Sequence, residues 1–402
     1  MRVPWISSAL CLVLLVPAYA AAQTTAVRLR SIGGDPASGV ARVVVVEHGS
    51  LVHTALMFPE FRNGTLDSPG DPEAQAARVI DNIAVALDQA RTTLDHLVRL
   101  HVYVAAASVT PRIDRLLAKR FGGLKTRPAV TFVETTMPRG GVLVAMDAVA
   151  ATGWMPAPGT ATRLAAARLP GRTERASHAA IQPAGPFVIV SGRAATGEFE
   201  AAIRGTMAEL RADLERVGLT FEHVVQVKSF LGDMKKAGQL EAIVASTFTG
   251  ERVPPQVVTE GRQDAPAEIE LVATAPRWTG SGPGVEHFEP TLGRYSKIAR
   301  ANAGQPIFIS GLYGESADPA TQVDEMFAEL GRALQQAGSD IRHLVKATYY
   351  VADTAADQRI NAVRPTLYDP EHPPAASKLV VRGSGRAGKG STFDMIAVTS
   401  PR

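Results

Sequence analysis

Thiols are almost absent from this 402-residue chain: its one cysteine, Cys11, sits in the middle of an apolar run near the start. Once that leading stretch is removed, disulfides, cysteine nucleophiles and thiolate metal sites are excluded together. Charge of one sign is also lacking, because 42 Lys and Arg stand against 39 Asp and Glu and leave +3. The basic stripe interleaved with aromatics that nucleic acid requires is missing, so no nucleic-acid partner is expected. The run from Ala9 to Ala18 is too short for a membrane span. With Arg2 before it and small residues up to Ala22 after it, residues 1–22 read as a secretory signal peptide, cleaved after Ala20 or Ala22. The expectation is an exported protein, periplasmic or extracellular, with no membrane contact after cleavage. Without disulfides it must rely on its core, and roughly 380 residues at 46% apolar content can build one.

What the chain does have is one pattern written three times. A helix face of Ala76, Ile80, Ile83, Leu87 and Ala90 is followed by His96, Tyr103 and Phe121. The same order returns as Ile203, Met207, Leu210, Leu214 and Val217 with His223, Phe230 and Phe248. It returns again as Val323, Phe327, Leu330, Leu334 and Ala337 with His343, Tyr350 and Tyr368. Such spacing marks a supersecondary unit repeated in tandem.

Each unit reads as strands, helix, strand, helix, then two closing strands. The opening strand pair is Val40 to Glu47 with Leu51 to Ala55 in repeat 1, and strands start the others at Phe187 and Ile307. First helices are predicted over Glu73 to Ala90, Phe199 to Val217 and Pro319 to Ala337, and second helices over Pro111 to Phe121, Ala237 to Phe248 and Asp357 to Tyr368. Gly218 and Gly338 stand where a helix terminator belongs, but repeat 1 has Arg91 there. Gly and Pro punctuate residues 152–175 and 277–290, which read as linkers between domains at 23–151, 176–276 and 291–402.

The order of elements, with several short motifs, resembles the RidA family, also called YjgF. Tyr295-Ser296 followed by Ile307-Phe308-Ile309-Ser310-Gly311 is similar to its opening pattern, and Asn361 to its second-helix Asn. Pro128-Ala129 and Pro374-Ala375 echo its Pro-Ala-Arg strand start. Asp147, Glu270 and Asp394 fall at its last-strand carboxylate. The resemblance implies an α+β fold of three tandem RidA-like (chorismate mutase-like) β-α-β-α-β domains. They would form an intramolecular pseudo-trimer, sheets inward and helices outward, monomeric as a chain, with ligand clefts between repeats.

It also implies hydrolysis of reactive enamines or imines to ketones and ammonia, without a cofactor or metal. Asp394, Ser310, Tyr295 and Asn361 would be catalytic, with Ser296, Gly311, Ser377, Ser191, Gly192, Gln256, Glu270 and Asp147 as ligand-binding residues. One departure stands out. The arginine that grips the substrate carboxylate is replaced by Val130, Gln256 and Ala376. Losing such a contact commonly costs ~2 to 5 kcal/mol. Gln256 can still hydrogen-bond a neutral amide or carbonyl, and Arg127, Arg193 and Arg382 are nearby cations that could substitute.

Blander readings stand beside these. His96, His223 and His343 could ring a zinc ion, but their place between helix and strand suits a cap. Ser377 beside Lys378 suggests a dyad, yet adjacent strand residues point to opposite faces. Glu268 shares a face with Glu270, and the two would repel if both were buried. The rival to an enzyme is a non-catalytic small-molecule or protein-binding scaffold. A ribonuclease reading is disfavoured by the missing basic stripe.

Overall fold

The structure, a computed structural model, describes residues 25–170, 173–261, 264–277 and 279–400. The expected signal peptide lies outside them. Among the described residues no helix is long and apolar enough to cross a membrane.

Each repeat supplies two α-helices: α1 (Pro72–Gln89) and α2 (Thr110–Phe121), α3 (Phe199–Arg216) and α4 (Ala237–Ser246), α5 (Pro319–Ala337) and α6 (Thr354–Leu367). Asp71, Asp318 and Asp353 cap α1, α5 and α6 by accepting from first-turn N–H groups. Beyond the first helices, Gly218 and Gly338 take left-handed φ of +72° and +82°, and Arg91 takes the same turn at +56°. A side chain there costs about 1–2 kcal/mol. The Arg91 guanidinium, 4.3 Å from the Trp154 ring centroid, recovers part of it.

Four strands form the sheet of each repeat, in the spatial order first, last, middle, closing. They are Ser50–Thr54, Val144–Thr152, Leu97–Val104 and Ala129–Glu134 in repeat 1. Repeat 2 has Phe187–Arg193, Ala267–Thr274, Val224–Leu231 and Gln256–Glu260, and repeat 3 has Pro306–Leu312, Ser391–Val398, Leu344–Val351 and Ala375–Val380. A fifth strand always comes from another repeat. Ala179–Gln182 of repeat 2 pairs with repeat 1, Tyr295–Ala301 of repeat 3 with repeat 2, and Val43–His48 of repeat 1 with repeat 3.

This exchange adds two features to the strands expected from the sequence. The opening strands of repeat 1 are not a hairpin: the chain breaks at Gly49, φ +131°, and sends the two halves to different sheets. The linkers also carry strands, Thr162–Leu164 and Val285–Thr291, each paired with the donated strand that follows it. Flanking Gly and Pro masked their short alternation.

Helices cover one sheet face, giving each repeat its own core, such as Val79, Ile83 and Leu87 against Leu100 and Val102 in repeat 1. The other faces meet one another. Val98, Val225 and Val345 share one apolar cluster with Val44, Ile189 and Phe308, and Tyr103, Phe230 and Tyr350 share a second. Burying the faces that helices leave bare is what a one-sided α/β layer demands.

Candidate functional site

Between those two shared apolar clusters the middle strands place charge. Antiparallel pairing with the last strands sets His101 opposite Asp147, Lys228 opposite Glu270 and Thr348 opposite Asp394. Two residues earlier, Arg99, Gln226 and Lys346 occupy one equivalent position. The three last-strand carboxylates are 1–2% exposed, so each needs partners.

Asp394 receives Arg99 Nη1 at 3.0 Å, His101 Nε2 at 3.1 Å and Ser310 Oγ at 2.5 Å. Asp147 is met by His101 Nδ1 at 3.0 Å and by the Tyr103 hydroxyl at 2.9 Å. Both nitrogens of the His101 ring thus face carboxylates. Glu270 pairs with Lys346 and accepts from Ser377 Oγ at 2.7 Å.

Burial opposes ionisation of all three, but the cations outweigh it. Arg99 and His101 hold Asp394, and His101 and Lys228 hold Asp147, well below the usual carboxylate range. Lys346 and Lys228 lower Glu270 likewise. Lys228 sits 5.7, 5.5 and 5.6 Å from the ring centroids of Tyr103, Phe230 and Tyr350 and donates to Tyr350 Oη at 2.9 Å. Burial lowers its ammonium to about 8.

Outward from this layer, the seams between repeats differ. Between repeats 2 and 3 lies a cavity of about 410 Å³, lined by Gly192 and Glu268 on one side and by Tyr295, Asn361, Arg364 and Ser377 on the other. Burial, reinforced by the charge of Glu270, pushes the Glu268 carboxyl up to about 7. A Cβ on Gly192 would lie 1.8 Å from Glu268 Oε1, so glycine is what lets that side chain in. Arg364 is 5% exposed, gives Nη2 to Asn361 Oδ1 at 2.8 Å, and leaves its buried Nε without a partner.

Between repeats 1 and 2 a cavity of about 440 Å³ is lined by residues that include Ala55, Ser177 and Gln256. Side chains cross the seam between repeats 3 and 1. Gly311 N–H donates to Thr131 Oγ1 at 3.0 Å, and Arg386 grips Asp114 through two 3.0 Å bonds while lying over the Phe132 ring.

The residues expected to be catalytic therefore do not gather. Asp394 and Ser310 meet each other, with Gly311, at the seam facing repeat 1. Tyr295 and Asn361 line the cavity facing repeat 2, with Gly192 and Ser377. Each seam takes its two walls from different repeats, so residues close in sequence serve different seams. Ser191 acts as a clamp, donating to the Ser296 carbonyl at 2.6 Å and accepting from Ala376 N–H at 2.8 Å. Ser296 is buried, and its own hydroxyl has no partner. Gln256 belongs to the cavity between repeats 1 and 2, and Asp147 to the charged layer.

Lys378 reaches Asp357 and Asn361 while Ser377 reaches Glu270, so the two diverge as strand alternation requires. Strand pairing makes Val130, Gln256 and Ala376 equivalent. The cations expected to substitute are engaged elsewhere: Arg193 with Asp213, Arg127 with the Val40 and Leu124 carbonyls, Arg382 with Thr136. Arg294 and Arg364 line the 410 Å³ cavity instead. His96, His223 and His343 bond to Thr92, Thr220 and Asp340 at their helix ends, and no metal-holding cluster occurs among the described residues.

The sequence reading missed Arg99, His101, Lys228, Lys346 and Arg364. A signal existed for the first four, since each interrupts an otherwise apolar strand on the face that carries Tyr103, Phe230 or Tyr350.

The sequence model of one family, described as Endoribonuclease L-PSP, matches three times, at residues 36–152, 170–275 and 287–385. Among solved structures, a YjgF-family protein from Neisseria meningitidis is 28% identical over 29% of this chain and 97% of its own, with a TM-score of 0.23. A Rid-family protein of unknown function from Yersinia pestis is 23% identical over 31% of this chain and 98% of its own, TM-score 0.29. A YjgF-type protein from Mycobacterium tuberculosis is 22% identical over 24% and 81%, TM-score 0.22. No curated protein matches.

Proposed function

Because the chain belongs to the family described as Endoribonuclease L-PSP, matched three times along its length, we propose that it is an exported, single-chain pseudo-trimer. In this reading the cleft between repeats 2 and 3 binds a small carboxylate-bearing enamine or imine and hydrolyses it. The observation that carries this reading is Glu268, a carboxyl raised to about 7 inside the cavity that also holds Tyr295, Asn361 and Arg364. A group that titrates near neutrality can both give and take a proton, as water adds across C=N and ammonia leaves. Asp147, Glu270 and Asp394, held low by their cations, stay ionised and lack that capacity.

Arg364, which lines the cavity, supplies the guanidinium missing from the closing strand. Tyr295 and Asn361 orient the substrate. Ammonia release from freshly generated 2-iminopropionate tests the reading. Glu268→Gln abolishes turnover, and Arg364→Met raises KM with a smaller effect on kcat. Wild-type rates in Glu268→Gln would refute it. For export, the N-terminal residue of protein recovered from the periplasm or medium should be Ala21 or Gln23.

One observation favours a second reading, binding without turnover: all three family-position carboxylates are locked in buried ion pairs. Ligands that raise the melting temperature with no ammonia release would select it.

A further inference from the structure

Two arginines line the cavity between repeats 2 and 3, in different settings. Arg364 is the inner one. It is 5% exposed on α6, with Cζ 5.2 Å from the Tyr349 ring centroid and Nη2 donating to Asn361 Oδ1 at 2.8 Å. Arg294 is the outer one, on the turn that joins Val285–Thr291 to Tyr295–Ala301. Its backbone is fixed, because its N–H donates to the Thr291 carbonyl at 2.9 Å. The turn also lies against the loop after α6, where a Cβ on Gly293 would come 3.3 Å from Pro370 Cα. The Arg294 side chain itself is exposed and, among the described residues, makes no hydrogen bond or ion pair.

The other charged groups on these walls leave the balance positive. Lys378 is matched by Asp357 at 2.5 Å and also reaches Asn361, so it is already engaged. Glu268 is the one carboxyl among the described residues that line the cavity. Burial raises it to about 7, so at neutral pH it carries only part of a charge. One guanidinium fork matches one carboxylate. A monocarboxylate held by Arg364 would therefore leave Arg294 with solvent as its only partner, whereas an anion with a charge at each end matches both arginines.

We propose that this cleft selects a dicarboxylate: a 2-imino acid of about four or five carbons whose α-carboxylate meets Arg364 and whose far carboxylate meets Arg294. The proposal rests on reading the cleft as the substrate site, and it makes Arg294 the residue that sets specificity.

Calorimetric titration of the intact chain with 2-oxoglutarate and 2-oxovalerate tests it, because the two share a carbon chain and only the first ends in a carboxylate. At low salt 2-oxoglutarate should bind at least about tenfold tighter, and the gap should narrow as salt rises. Arg294→Met should bring the two affinities to within about twofold of each other, while Arg294→Lys, which keeps the charge, should retain a smaller preference. Arg294 is exposed on a turn, so neither variant threatens the fold. Arg364→Met should weaken both ligands. In turnover, kcat/KM for freshly generated 2-iminoglutarate should exceed that for 2-iminopropionate at least about tenfold, and Arg294→Met should lose that ratio. The proposal is overturned if the two oxo acids bind alike, if neither binds, or if Arg294→Met keeps the wild-type preference. A calorimetric preference without ammonia release from either imine would refute hydrolysis and uphold the dicarboxylate site.

Discussion

Replacing Arg99 with methionine tests whether charge holds the three repeats together. Arg99 of repeat 1 and Asp394 of repeat 3 are joined at 3.0 Å with side chains 7% and 2% exposed. Removing one partner of a pair so buried typically costs about 3–5 kcal/mol, because the remaining charge is stranded. Two features place this case at the lower end. Asp394 keeps Ser310 at 2.5 Å and His101 at 3.1 Å, and Arg99 already leaves its Nε unsatisfied. A loss of about 3 kcal/mol is therefore expected at pH 7, a large share of a typical total of about 5–15 kcal/mol.

The pH dependence sharpens the test. Arg99 and His101 depress the folded pKa of Asp394 below its unfolded value of about 3.9. The stabilisation is thus complete above about pH 4 and drains away as pH falls toward the folded pKa. Arg99→Met lacks most of it, so its deficit should shrink by about 1 kcal/mol between pH 7 and pH 3. Urea unfolding followed by circular dichroism at both pH values gives the two numbers. Asp394→Asn added to Arg99→Met should recover part of the loss. A single variant within about 1 kcal/mol of wild type, or a deficit equal at both pH values, would refute the ion-pair account.

Lys228, lowered to about 8 by burial, stabilises fully only above its unfolded pKa near 10.5, and that contribution is lost as pH falls toward 8. Wild type should therefore lose ground to Lys228→Met between pH 10.5 and pH 8, and parallel denaturation curves would disprove it. Glu268 has the reverse sign: its folded pKa of about 7 stands above the unfolded value, so its contribution is present below about 4.5 and lost as pH rises through 7. Glu268→Gln should gain melting temperature over wild type from pH 5 to pH 8. Gly311→Ala places a Cβ 2.3 Å from the Val130 carbonyl at φ +63°, whereas Gly218→Ala at φ +72° meets nothing within 4 Å. The second should cost about 1–2 kcal/mol by urea unfolding, and the first clearly more.

The helices were legible because their buried faces follow from spacing alone: Ala76, Ile80, Ile83 and Leu87 pack as their three-and-four pattern predicts. The carboxylates Asp147, Glu270 and Asp394 stood out because each interrupts an apolar strand. What local pattern cannot encode is which sheet a strand joins. Val43–His48 and Ser50–Thr54 look like a hairpin, and a single glycine conformation separates them. That exchange also decides which residues face each other, so Tyr295 and Ser310, close in sequence, end in different seams. Arg364 gave no signal because a basic residue in a helix reads as solvent-facing.

Covalent tandem repeats also permit what three identical subunits cannot. At the position shared by Arg99, Gln226 and Lys346, a homotrimer would place the same residue three times. Here Arg99 crosses to Asp394 and Lys346 crosses to Glu270, while Gln226 donates to the Thr54 carbonyl at 2.8 Å and leaves Asp147 to its own His101 and Tyr103. The seam with the neutral link is the seam whose cavity has Gln256 and Ser177 at its uncharged polar points. The seam with the lysine link is the one where burial, with Glu270 beside it, drives Glu268 toward protonation against the pull of Lys346. Transplanting the link, as Gln226→Lys, should lower the pKa of Asp147 further while leaving the titration of Glu268 in place, because the Gln226 side chain reaches across to the Thr54 carbonyl of repeat 1. A carboxylate titration followed by ¹³C NMR in which Glu268 moves and Asp147 does not would break the assignment of each link to its own seam.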